Sequence, residues 1–179
     1  MKVIFLDIDG VLNNFVEHHL FVPIDPKGNR FETGLLKPAI ELVNRLANEN
    51  HAQIVISSSW REFDKSISKI QFDPDVKTFD LRDFLRRMGL TAKFHSDWHT
   101  PIPEFKKFSM ASPRGKEIQS WLDKHPEVTS WVAIDDDRNF SQEQKAHCAF
   151  TNPNKGFTLA DAHIANEILK KVNEVILKP

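Results

Sequence analysis

Four apolar residues, Val3 to Leu6, run unbroken into Asp7, Ile8, Asp9 and Gly10. A strand buried on both faces of a parallel sheet reads this way, and its carboxyl end is where open α/β sheets place their ligands. Apolar runs at Gln53–Ile56, Ser130–Ile134 and Ala146–Phe150 predict three more strands, and Leu90–His95 offers a fifth. Between them, Leu36, Ala39, Ile40, Val43, Leu46 and Ala47 recur at helical spacing, which predicts a helix over Leu36–Asn50. Asp80–Met88 reads as a helix ended by Gly89, and Leu159–Ile176 as a closing helix. Pro113–Lys124 reads as a helix with Ser112 as its N-cap and Pro113 at its first position. Strands alternating with helices predict a doubly wound parallel α/β sheet of Rossmann-like form.

Two stretches break the alternation. Residues 14–33 carry few helical cues, and Pro26-Lys27-Gly28-Asn29 looks like a hairpin tip between Leu20–Ile24 and Arg30–Glu32. Residues 61–112 are longer than a minimal connection needs, with Asp97–Met110 reading as loop because it holds two prolines and little periodicity. The whole chain of 179 residues is most simply one domain, residues 1–179, with a short flap and at most a small cap.

Composition narrows the partners. Hydrophobic residues make up 40% and charged residues 27%, as in ordinary soluble globular proteins. A formal net charge of −1 gives no global basic field to recruit nucleic acid, although it leaves room for a local basic groove. The single cysteine, Cys148, excludes an intrachain disulfide and, lying in an apolar run, reads as core. No stretch approaches a membrane span and no signal-peptide pattern opens the chain, so a cytoplasmic location without membrane contact is expected.

The candidate chemistry starts at Asp7 and Asp9. Two carboxylates one residue apart at a strand's end, followed by a glycine that lets the chain turn, can face one small site. A carboxylate nucleophile can accept a phosphoryl group and split hydrolysis into two easier steps. A second carboxyl can protonate the leaving alkoxide and then deprotonate water. Asp135, Asp136 and Asp137 follow the strand Ser130–Ile134, and adjacent carboxylates there repel one another unless a cation offsets them.

The D-x-D-G-V-L-N run of Asp7 to Asn13 resembles the first motif of haloacid dehalogenase-like (HAD) phosphatases. The resemblance implies Asp7 as nucleophile and Asp9 as general acid/base. It implies a serine at the end of the second strand, Ser58 or the neighbouring Ser57, whose hydroxyl holds the phosphoryl group. It implies a cation before the fourth motif, Arg114 or Lys116, and a Mg2+ site formed by Asp135 and Asp136 with Asp7 and the Asp9 backbone carbonyl. The pattern R-G-x-E-I-x-x-W-L, Arg114 to Leu122, resembles a small-cap branch described as RNA-repair-associated, which favours Arg114. In this family a β-hairpin flap lies close over the active site, where residues 14–33 fall here. Gly10, Ser59, Trp60 and Arg61 are the expected substrate contacts, with Trp60-Arg61 placed to stack on and ion-pair with a substrate.

The expected activity is therefore Mg2+-dependent hydrolysis of a phosphorylated small molecule or nucleic-acid end. A polynucleotide 3′-phosphatase and a non-catalytic binding module with the same fold are the alternatives. Eight histidines, among them His18, His19, His95 and His99, lack H-x-x-x-H spacing on a convincing helix, and zinc is not expected from them. Lys106, Lys107, Arg82, Arg86 and Arg87 read as solvated faces, with a phosphate-binding strip as the other reading.

Overall fold

The computed structural model describes residues 1–16, 34–64, 66, 80–102 and 114–171. The expected hairpin, Ser112, Pro113, Lys106, Lys107, His18 and His19 lie outside the described residues. Among the described residues, five strands, β1 (Lys2–Leu6), β2 (Ala52–Ile56), β3 (Phe94–His99), β4 (Ser130–Asp135) and β5 (Cys148–Phe150), form one sheet in the order β3-β2-β1-β4-β5. Every pairing is parallel. The α/β doubly wound, Rossmann-like fold expected from the alternation is the fold observed.

Alternation along the central strands divides the core in two. Ile4, Leu6, Ile54, Ile56, Val132 and Ile134 face one side, with α1 (Lys37–Asn50), α2 (Leu81–Arg87) and α5 (Leu159–Lys170). Val3, Phe5, Val55, Trp131 and Ala133 face the other, where α3 (Arg114–Leu122) buries Ile118 and Trp121 against them. The Phe5 ring meets Trp121 edge-on at 5.3 Å and Trp131 edge-on at 5.7 Å.

Several boundaries differ from the sequence expectation for local reasons. The fifth strand begins at Phe94 rather than Leu90. Asn44 of α1 takes the backbone of the preceding turn, accepting from the Thr91 and Ala92 amides and donating to the Gly89 carbonyl. Leu90 and Ala92 are thereby core residues of a turn, and β3 extends through Asp97, Trp98 and His99, which read as loop. Its register is bulged, since Ile54 pairs with Phe94 but Ile56 with His99.

The closing helix stops at Lys170, because Lys171 is extended and the Ser130 hydroxyl donates to the Leu169 and Lys171 carbonyls. A short helix not expected from periodicity, α4 (Gln142–Lys145), is started by a capping box between Ser141 and Gln144, and this shortens β5 to Cys148–Phe150. Among the described residues, no helix is long and apolar enough to cross a membrane.

Candidate active site

Strand register builds the site. Leu6 is level with Ile56 of β2 and with Ile134 of β4, so the next residues, Asp7, Ser57 and Asp135, stand side by side at the carboxyl edge. The Asp7 amide donates to the Ile134 carbonyl at 3.1 Å, and the Ser57 amide to the Leu6 carbonyl at 2.9 Å. The chain leaves β1 for β2 on one side and reaches β4 on the other, which makes this edge the topological switch point. Asp7, Ser57 and Asp135 share the parity of Phe5, Val55 and Ala133, and so belong to the face that α3 covers. Arg114 opens α3 on that face, with its Nη2 3.6 Å from Asp7 Oδ1 and its Nε 3.0 Å from Asp135 Oδ2.

Asp9 is held from two directions. Its Oδ1 accepts from Asn13 Nδ2 at 2.8 Å, and its Oδ2 accepts from Trp60 Nε1 at 2.8 Å. Asn13 also accepts from the Gly10 amide at 2.8 Å, so one side chain fixes both the turn and the carboxylate. Gly10 has φ +68°, and a Cβ there would stand 2.7 Å from Asp136 Cγ. Only glycine lets the loop lie this close to Asp136.

Glu117, one helical turn beyond Arg114, lies behind these groups. Its Oε2 is 3.3 Å from Arg114 Nη1 and 2.8 Å from Arg61 Nη2. Burial lowers the Arg114 pKa, but the charges of Asp7, Asp135 and Glu117 outweigh it and leave Arg114 more firmly cationic than usual. Burial raises the Asp7 carboxyl above its ordinary value, against Arg114 and a hydrogen bond from the Ser58 hydroxyl. Asp135 is raised well above the usual carboxylate range by burial and by Asp7, with Arg114 opposing. Asp136 is raised by burial and then by Asp7.

Compared with known families, residues 3–162 match the sequence profile of the HAD domain in Swiss Army Knife RNA repair proteins. The chain belongs to this family. No curated protein and no solved structure matches it. Membership supports phosphatase chemistry of the HAD type in general terms and suggests a phosphorylated nucleic-acid or small-molecule substrate.

Within this HAD domain, the residues suit a hard divalent cation. Asp7, Asp135 and Asp136 each offer a carboxylate oxygen, and these oxygens lie within 4.8 Å of one another. The donors are all oxygen, as Mg2+ prefers. Burial first and the neighbouring carboxylates second raise all three pKa values, the direction that a bound cation would oppose. The Asp9 carboxylate is not part of that group. It is turned toward Asn13 and Trp60, which leaves its backbone carbonyl as the atom expected at a metal.

The paired alternatives stand in different surroundings. Arg114 reaches the carboxylates, whereas Lys116 is exposed. The Ser58 hydroxyl bonds Asp7 and accepts from the Trp60 amide, whereas the Ser57 hydroxyl is fully buried with no hydrogen-bond partner.

Three of the expected substrate contacts have internal partners in the structure. Arg61 is 1% exposed, and its five N–H donors go to the Ser57, Ser58, Thr100 and Pro101 carbonyls and to Glu117. It clamps the serine loop from below and has no donor left for a substrate. Gly10 likewise spends its amide on Asn13 and its carbonyl on the Thr151 hydroxyl, 2.7 Å away. Trp60 is half-buried, packs 6.1 Å from the Phe84 ring and turns its N–H to Asp9. Ser59, at the start of a 3-10 turn over Ser59–Phe63, is exposed.

Glu117 and Asn13 were not singled out from the sequence. Glu117 carried a signal in its i, i+3 spacing from Arg114, and Asn13 in its fixed distance from Asp9.

Proposed function

We propose that this HAD domain is a Mg2+-dependent phosphomonoester hydrolase working through an aspartyl-phosphate on Asp7. The observation that carries the reading is the position of Asp7, held between the Ser58 hydroxyl and the Arg114 guanidinium beside Asp135 and Asp136.

An Asp7 carboxylate oxygen attacks phosphorus as the ester P–O bond breaks, and the electron pair leaves on the alcohol oxygen. Asp9 gives that oxygen a proton, then takes one from the water that attacks the aspartyl-phosphate. Inorganic phosphate leaves and Asp7 returns to a carboxylate. Arg114 and the Ser58 hydroxyl offset charge on the equatorial oxygens throughout. When bound by Asp7, Asp135 and Asp136, Mg2+ supplies further neutralisation of the phosphoryl group.

Asn13 and Trp60 hold Asp9 in one orientation through both proton transfers. Trp60 does so with its ring fixed against Phe84, so the donor costs little ordering at the moment of reaction.

A second reading, a polynucleotide 3′-phosphatase, is favoured by the family's place in RNA repair. Phosphate release from an aryl phosphate and from 3′- and 5′-phosphorylated oligonucleotides, with Mg2+ or with EDTA, tests both. Mg2+-dependent release supports the hydrolase, and metal-independent release contradicts it. A preference for 3′-phosphorylated ends, weakening steeply with salt, selects the polynucleotide reading. Equal turnover of small phosphomonoesters with a shallow salt dependence counts against it.

A further inference from the structure

A second group of metal-ligating side chains lies at the opposite end of α3 from Arg114. His95 of β3, and His125 and Glu127 of the turn between α3 and β4, each present one ligand atom, and these atoms lie within 4.8 Å of one another. We propose that His95, His125 and Glu127 form a Zn2+ site, separate from the acidic cluster at Asp7.

Donor chemistry sets the metal. Two imidazoles and one carboxylate suit a borderline cation such as Zn2+, whereas Mg2+ is served by oxygen alone. Tetrahedral Zn2+ with bonds of about 2.0–2.1 Å places its donors about 3.3 Å apart. Here Glu127 Oε1 is 2.8 Å from His125 Nδ1 and 4.0 Å from His95 Nε2, distances that bracket that value. Glu127 is half-exposed and free to adjust, and its side leaves an approach from solvent.

Both imidazoles already have the outer hydrogen bonds that metal-binding histidines carry. His125 Nε2 is 3.1 Å from Asp97 Oδ2, which an Nε2–H can hold, and Nδ1 donates to Glu127 at 2.8 Å in the metal-free protein, so Zn2+ would take the place of that Nδ1 proton. His95 Nδ1 lies 3.1 Å from the Asp97 carbonyl oxygen and 3.0 Å from the Asp97 amide nitrogen. The Asp97 amide donates to Nδ1 in the metal-free protein, which leaves the ring proton on Nε2, so Zn2+ would displace that proton and shift it to Nδ1, facing the Asp97 carbonyl.

The rings are also fixed in place. His125 stacks on the buried Trp121 indole at 3.8 Å, and His95 meets the same indole edge-on at 4.9 Å. Trp121 Nε1 donates to the Asp97 carbonyl at 3.0 Å, tying the bulge of β3 to α3. One indole therefore orients two ligands and the residue behind them, so little order remains to be imposed on binding. The site was hidden in sequence because its spacing is H-x-D on a strand and H-x-E in a turn, 30 residues apart between His95 and His125.

The test uses the full chain, stripped with chelator and titrated with Zn2+ by calorimetry in millimolar Mg2+. Wild type should bind one equivalent. Glu127→Gln and His95→Gln should abolish it, and Asp97→Asn should weaken it about 10- to 100-fold. Co2+ in place of Zn2+ should give wild type the visible absorption of a four- or five-coordinate site, absent in Glu127→Gln. His95 is buried and its variant can fail to fold. Glu127→Gln, on a half-exposed side chain, is therefore decisive, with its metal-free melting curve as the check on folding. Absence of Zn2+ binding, or binding unchanged by Glu127→Gln, overturns the proposal. So does binding that Asp7→Asn removes, since that would place the ion at the acidic cluster.

Discussion

Arg61 and Glu117 form a buried ion pair, Nη2 to Oε2 at 2.8 Å, beneath the loop that carries the serines. Burial lowers the Arg61 pKa and raises that of Glu117, so desolvation weighs on both charges. Such a pair adds little net stability while intact, but removing one partner strands the other. Glu117→Ala leaves two partly or fully buried arginines without their shared carboxylate and should cost about 3–5 kcal/mol of unfolding free energy. Denaturant unfolding measures it. A change below about 1 kcal/mol, the scale of an exposed pair, would show that the pair is not buried in solution.

Asp7→Asn keeps the side chain's shape and removes the anionic nucleophile. Turnover of an aryl phosphate should fall to background while the melting temperature is preserved or rises, because the raised Asp7 pKa makes the charged form unfavourable in the fold. Near wild-type phosphate release by this variant would sink the mechanism.

The geometry ranks the polar groups around phosphorus. Ser58→Ala and Arg114→Ala should each lower kcat about 10²- to 10³-fold, the usual consequence of deleting a donor to developing negative charge. Lys116→Ala should have little effect, since its side chain is exposed. Ser57→Ala removes a buried hydroxyl that bonds nothing, and should leave stability unchanged or improved. Steady-state kinetics on all four variants decides the order, and a greater loss from Ser57→Ala than from Ser58→Ala would reverse the assignment.

Metal and pH act on stability together. Asp7, Asp135 and Asp136 have folded pKa values above their ordinary value of 3.8, so the folded state binds protons more readily than the unfolded one. Their favourable contribution is complete below 3.8 and is lost as pH rises through the folded values. The EDTA-treated protein should lose melting temperature from these groups across that window, and Mg2+ should restore more of it the higher the pH. Asp136→Asn should raise the metal-free melting temperature at neutral pH and shrink the Mg2+ response. A Mg2+ shift that Asp136→Asn leaves intact would place the ion elsewhere.

Much of the fold was legible because its signals are local. Val3–Leu6, Gln53–Ile56 and Ser130–Ile134 are apolar runs too short for helices and buried on both faces, and all three are central strands. The edge strand was displaced because its middle, His95-Ser96-Asp97, is polar, and because Asn44, distant in sequence, takes the backbone of Thr91 and Ala92. No periodicity within 90–99 carries that information.

By itself, the sequence determined the acids at the two strand ends, the glycine between Asp9 and Val11, and the family that arrangement resembles. Register was not forced in this way, because strands apolar on both faces lose the inside-outside signal that pins a one-faced strand, and the ladder of the folded sheet sets Leu6 level with Ile56 and Ile134. Only the tertiary structure decided what long, flexible or aromatic side chains do. Arg61 and Arg114 have the same charge and comparable reach, yet one is spent on five internal acceptors and the other faces Asp7 and Asp135. His95 and His125 meet over Trp121 because α3 returns across the sheet to β4, and Trp60 turns its N–H to Asp9 because Phe84 packs against its ring. Backbone hydrogen bonding and burial are written in short windows of sequence, whereas side-chain pairing depends on which elements the fold brings within a few ångströms.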